Sequence, residues 1–216
     1  VENLSLTIGP GMEVTGHLRV EGDKSANLTA VRVALMNLGS GVQPASLDEQ
    51  GAFTLRNVNQ DRYMLNVAGL PEGFYVKSVS LGPEAQDFRG AAGIDLTKGA
   101  TAPLEILIGA NAGQVSGAVL DEKSQPAAGA MVVLVPQERD RREVFQLYKT
   151  ATTDQYGRFT IRSVEPGEYK VFAWEDIEVG AYMDPDFIKP VESRGEPVSI
   201  KENSREDLKL KVIPTV

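Results

Sequence analysis

The chain has 216 residues, 42% of them hydrophobic and 24% charged, with a formal net charge of −8. That length suits one large or two small globular domains, and no apolar run approaches the roughly 18 residues that a membrane-spanning helix needs. Acids outnumber bases in each half, 12 to 8 over residues 1–109 and 18 to 14 over 110–216, so neither half attracts nucleic-acid phosphate; without cysteine there is no disulfide scaffold and no thiolate zinc site.

Taken in chain order, the first predicted element is a strand. Leu4, Leu6 and Ile8 fall on every second residue, the period of a strand with one dry face. Val1–Pro10 also lacks the basic start and apolar core of a secretory leader. A strand over 12–20 follows, carrying the chain's single histidine, His17, between Gly16 and Leu18. We read it as a structural or surface histidine. Phe53, Leu55, Tyr63 and Leu65 then mark a two-strand meander, and Leu104, Ile106 and Ile108 mark a closing strand.

The same succession returns. Asp48, Gly51, Phe53, Leu55, Arg56, Val58, Tyr63 and Leu65 stand 106 residues before Asp154, Gly157, Phe159, Ile161, Arg162, Val164, Tyr169 and Val171. Further upstream, Val14–Leu18 matches Val115–Val119 at an offset of 101. The five extra residues fall near Arg139, where a longer loop costs little. The run Arg139-Asp140-Arg141-Arg142 is expected to be a solvated loop tip. In the second meander, Glu165-Pro166-Gly167-Glu168 carries the turn chemistry of a type II turn. Two copies of about seven short strands each predict an all-β chain of two tandem seven-stranded Greek-key β-sandwiches. The boundaries are 1–10 as a strand or linker from an upstream domain, 11–109 as the first sandwich and 110–216 as the second. With closing-type strands at 4–8, 104–108 and 208–212, there are three for two sandwiches. Residues 1–10 are therefore the last strand of an upstream sandwich, an added edge strand, or a strand offered to another molecule.

In the second copy, Val115-x-Gly117-x-Val119-x-Asp121, Pro126, Gly129-Ala130, Thr152-Thr153-Asp154-x-x-Gly157-x-Phe159 and Val164-x-Pro166-Gly167-x-Tyr169 resemble the carboxypeptidase regulatory-like domain. The resemblance implies a transthyretin-like (prealbumin-like) sandwich in a multidomain protein of the bacterial envelope or exterior. It does not imply peptidase activity, since the family takes its name from a domain that accompanies the enzyme. Ser124 stands where the family has a turn glycine, and Asp61 replaces the turn glycine in the first copy.

No catalytic set emerges. One histidine cannot furnish a zinc peptidase site, no nucleophile elbow accompanies it, and no glycine-rich phosphate loop opens a helix. No cofactor and no metal are expected. The candidate ligand-binding residues are Phe172, Trp174, Tyr182 and Phe187. Tyr169, Val171 and Ala173 take the core parity of their strand, so Phe172 and Trp174 point the other way. They lead into an acidic segment with Glu175, Asp176, Glu178, Asp184 and Asp186. Four readings stand: the underside of a structural cover, an inter-domain or partner contact, a stacking platform for sugar rings, or a calcium site on Asp184, Asp186 and Glu178. The favoured function is a non-enzymatic tandem spacer, outside the cell or in its envelope. Its partners would be neighbouring β-sandwich domains, other proteins, or further copies through residues 1–10; a glycan at the Trp174 region is the alternative.

Overall fold

The structure, a computed structural model, describes residues 11–22, 26–37, 41–82, 87–90 and 92–214. The strand expected at 4–8 lies outside the described residues. The chain is all-β, with 48% strand and 10% helix. It divides into two compact units. The first comprises Val1–Leu70, Ser78–Phe88 and Ala92–Leu107; the second comprises Pro71–Lys77, Arg89–Ala91 and Ile108–Val216. Two short segments before residue 109 thus pack as part of the second unit.

Among the described residues, eight strands precede residue 110: β1 (Met12–Val20), β2 (Arg32–Met36), β3 (Ala45–Ser46), β4 (Ala52–Val58), β5 (Arg62–Ala68), β6 (Tyr75–Leu81), β7 (Ile94–Asp95) and β8 (Leu104–Gly109). They form sheets ordered β4-β1-β8-β6 and β3-β2-β5-β7. The alternating residues read in the sequence fill the interior, with Val14, Leu18, Phe53, Leu55, Tyr63 and Leu65 all buried, and Val33 and Leu35 of β2 join them.

Seven more strands follow among the described residues: β9 (Gly113–Leu120), β10 (Met131–Pro136), β11 (Lys149–Thr152), β12 (Arg158–Val164), β13 (Gly167–Trp174), β14 (Glu196–Ile200) and β15 (Arg205–Lys211). Their sheets run β11-β10-β13-β14 and β12-β9-β15. The core between them is built from Val115, Val119, Leu134, Phe159, Ile161, Tyr169, Val171 and Leu210 among others. The closing strand β15 lies parallel to β9. Among the described residues helix is confined to short pieces, chiefly 3-10 turns at Asp140–Glu143, Ala181–Met183 and Lys189–Arg194 and the four-residue α1 (Pro185–Ile188).

The same local geometry occurs twice, at the spacings of 106 and 101 residues. Asp48 Oδ1 accepts from Gln50 N and Ala52 N, as Asp154 Oδ1 does from Tyr156 N and Arg158 N. Leu18 N donates to Gly51 O at 2.8 Å, and Val119 N to Gly157 O at 2.8 Å. Asn57 and Ser163 hold φ of +57° and +54°, each where its strand slips register against the first strand of its set. Such a residue in the left-handed region marks a bulge that bends the strand and re-aims the side chains beyond it. Behind each bulge a tyrosine hydroxyl donates back four residues, Tyr63 to Asn59 O at 3.2 Å and Tyr169 to Glu165 O at 2.8 Å. Ser124 takes the glycine-like φ of +60°, held by Asp121 Oδ1, which accepts from Lys123 N and Gln125 N.

Gly157 combines φ of +71° with a backbone neighbour, since a Cβ there would stand 2.6 Å from Val119 O, whereas Gly129 has φ of +76° and open space around it. Gly129→Ala therefore meets conformational strain alone, and Gly157→Ala meets strain and collision. Urea denaturation is expected to show a loss of about 1 kcal/mol for Gly129→Ala and clearly more for Gly157→Ala.

Candidate functional site

Strand β13 decides what the aromatic residues do. Its last four residues, Val171 to Trp174, are all buried, so both faces of the strand are dry there. Its neighbour β10, with the run Met131-Val132-Val133-Leu134-Val135-Pro136, is likewise buried on both faces. An unbroken apolar run of this kind is the sequence mark of a strand covered twice. Tyr169, Val171 and Ala173 enter the sandwich core. Phe172 and Trp174 take the opposite face and join Val133, Val135, Tyr148, Tyr182, Ile188 and Ile213 in a second, smaller core.

The structure brings the four candidate residues together, three of them inside. Phe172 is 1% exposed, Trp174 4%, Tyr182 6% and Phe187 40%. Phe172 and Trp174 stack with ring centroids 5.3 Å apart, and Phe187 tilts over Trp174 at 6.1 Å. The segment 181–195 provides the cover. Asp184 caps α1 by accepting from Asp186 N at 2.9 Å, and Pro185 begins that helix, where its missing N–H costs nothing. Lys170 Nζ donates to Glu192 O at 3.2 Å, Arg194 donates to Val212 O at 3.1 Å, and Gly195 leaves room for the Phe172 ring. The carboxylates weighed as calcium ligands do not converge: among the described residues no three acids or histidines stand close enough to hold a metal ion.

The second concentration of chemistry was not visible in the sequence. Arg141, expected in a solvated loop tip, turns inward. Its Nη1 donates to Glu165 Oε1 at 3.1 Å, and its Nη2 donates to Tyr169 Oη at 2.8 Å and Pro166 O at 3.1 Å. Arg89, from one of the two short segments that belong to this unit, donates to the other oxygen, Oε2, of Glu165 at 2.6 Å and to Val76 O at 2.7 Å. Glu165 and Arg89 side chains are each 10% exposed. Gly167 holds φ of +154° rather than the roughly +80° of the type II turn expected there, and a Cβ would stand 2.7 Å from Arg141 Nη2. Burial pushes the Tyr169 hydroxyl up to about 12, with the charge of Arg141 pulling the other way. Burial also lowers the Lys149 ammonium, against the attraction of Glu165. The only forewarning in the sequence is the matched position: Asn59 stands where the second copy has Glu165.

His17 is half-buried, and its Nε2 donates to Gln50 O at 2.6 Å. It lines an open groove of about 850 Å³ with Arg19, Thr29, Asp48 and Gln50. Its ring is committed to a backbone carbonyl, as a structural histidine's would be.

Residues 114–176 match the model of the carboxypeptidase regulatory-like domain, so the resemblance read in the second copy is met there. No curated protein sequence matches the chain. Among solved structures, the chain is similar to the Bacillus anthracis TIE protein, with 16% identity, a TM-score of 0.33, and coverage of 94% of this chain and 34% of that one. It therefore spans about a third of that protein's length. It is also similar to GBS52, the minor pilin of Streptococcus agalactiae (14% identity, TM-score 0.33, 94% and 97% covered), and to BcpA, the major pilin subunit of Bacillus cereus (10%, 0.31, 93% and 99%).

The buried charges lead to two expected outcomes. Removing one partner of a buried ion pair strands the other, so Glu165→Ala is expected to cost about 3–5 kcal/mol; Arg162→Ala, which breaks the exposed pair with Glu72 at 3.1 Å, should cost under about 0.5 kcal/mol. Denaturant titrations measure both. A tyrosine whose folded pKa is raised from 10.0 to about 12 keeps its proton in the folded state after the unfolded chain has lost it. Its contribution is present in full below pH 10 and is lost as pH rises toward 12. Stability measured against pH should fall more steeply across that window in the wild type than in Tyr169→Phe.

Proposed function

We propose that the chain is a non-enzymatic structural and interaction module of a bacterial cell-envelope or extracellular protein, with two β-sandwiches in tandem acting as a spacer. The observation that carries this reading is the fate of the best candidate site. Three of its four aromatic residues are spent on packing a second core, and Glu165, Arg89 and Arg141 are spent on one another and on nearby carbonyls. A stacking platform must present an aromatic face to solvent, and Phe187 is the one exposed member of the set. No helix among the described residues is long and apolar enough to cross a membrane.

The self-association reading rests on Leu4, Leu6 and Ile8. Their spacing repeats that of the closing strands, and an alternating strand left in water exposes both apolar surface and unpaired backbone groups. Contacts through residues 1–10 to a further copy would join chains end to end, since a head-to-tail contact that does not close propagates.

The carbohydrate alternative is decided on a glycan array. The spacer reading expects no glycan signal that disappears in Phe187→Ala, a variant expected to lose roughly 1 kcal/mol or less. A glycan captured by the wild type and lost in Phe187→Ala would overturn it. Trp174→Ala is a poorer control, because emptying a buried aromatic site costs about 3–5 kcal/mol and unsettles the fold. Deleting residues 1–9 tests self-association by sedimentation: loss of oligomers at unchanged Tm supports strand addition between molecules, and oligomers that survive the deletion refute it.

A further inference from the structure

A spacer need only separate its ends. The second unit has a feature that bears on what happens when those ends are pulled. Apart from the two short segments 71–77 and 89–91, the chain runs into the unit through β9 and leaves it through β15, and these two strands are parallel neighbours in unbroken register, from Gln114 opposite Arg205 to Leu120 opposite Lys211. The ladder is prolonged at both ends, by Gln114 N donating to Ser204 O and Val212 N donating to Leu120 O, each at 2.9 Å. Ser116 Oγ adds a bond to Glu206 O at 3.3 Å. Gly117 lets the strands approach closely, because a Cβ there would collide with the backbone of Leu208. Beyond the ladder, Ile213 N donates to Ala173 O at 2.7 Å and Ile213 O accepts from Glu175 N at 3.1 Å, tying the exit to the opposite sheet.

Because the strands are parallel, the point of entrance and the point of exit lie at opposite ends of the ladder. Tension between them runs along the strands and loads every evenly spaced bond of the parallel pair at once. Had β15 run antiparallel to β9, the two points would lie at the same end, and the ladder would open one bond at a time. We infer that the second unit is a tension-bearing link, with the β9–β15 ladder as its mechanical clamp. Resistance to force is set by the barrier to unfolding rather than by equilibrium stability. The clamp therefore gives the unit a strength along the chain axis that it lacks in other directions.

Single-molecule force spectroscopy on the full chain tests this, with handles on engineered cysteines, since the chain has none of its own. Ala110→Cys with Pro214→Cys loads the ladder lengthwise. Lys123→Cys with Pro214→Cys pulls from the end where β9 and β15 both finish, and peels the ladder. The lengthwise pair is expected to unfold the unit at a severalfold higher force than the peeling pair, with Tm the same in both. Should Lys123→Cys lower Tm, Glu122→Cys, equally exposed at the same turn, replaces it. Equal forces for the two pairs would overturn the inference, and would leave the spacer reading standing.

Discussion

Strand β13 has to bury side chains on both of its faces, and much of the second unit is arranged around that requirement. A sheet normally needs one dry face, but β10 and β13 place Val133, Val135, Phe172 and Trp174 on the face away from the sandwich core. Leaving that much aromatic and aliphatic surface in water would forfeit a large share of the hydrophobic stabilisation available to a unit of this size. The segment between β13 and β14 is accordingly shaped into short helical turns that lay Tyr182 and Ile188 over the sheet. Its acids remain outside, where Asp184 serves as a helix cap. What reads along the chain as a cluster of chemistry is in space a layer of packing.

The buried carboxylate of Glu165 imposes a second constraint. An ionised group taken out of water must recover its lost hydration from close partners. Arg141 and Arg89 supply them, one on each oxygen, and Arg141 also reaches Tyr169 and the carbonyl of Pro166. The guanidinium fork suits this task because it bonds several acceptors in one plane. Among the described residues its Nε has no hydrogen-bond partner, a residual cost that the other contacts of Arg141 offset. The network fixes the turn at Glu165–Gly167, hence the start of β13, and so helps to set which residues of that strand face which core.

Much of this was legible from the residues themselves. The period of two predicted the strand at 12–20 and the two that carry Phe159 and Ile161, and Tyr169, Val171 and Ala173, because side chains on a strand alternate and one face must be dry. The matched aspartates, glycines and tyrosines at a fixed spacing pointed to local geometry used twice, and each such pair makes equivalent bonds. The parity of Phe172 and Trp174 was also readable, since it derives from that of Tyr169. All of these are local properties, determined by neighbours in sequence and by the fixed geometry of an extended backbone.

Other features lay beyond that reach. A run of charges such as Arg139–Arg142 looks solvated in sequence, and only the folded chain reveals that Arg141 meets a glutamate 24 residues away. Nothing in Arg89 announces Glu165, 76 residues on. Nor does the alternation of β15 say that it runs parallel to β9 rather than antiparallel, since both arrangements present the same face. The sequence by itself determined the all-β class, the meanders and the parity of their strands, because each of these is decided within a few residues. The tertiary structure alone decided which charges pair, which face receives a second cover and in which direction the closing strand runs, because those depend on which distant segments share a buried volume from which water is excluded.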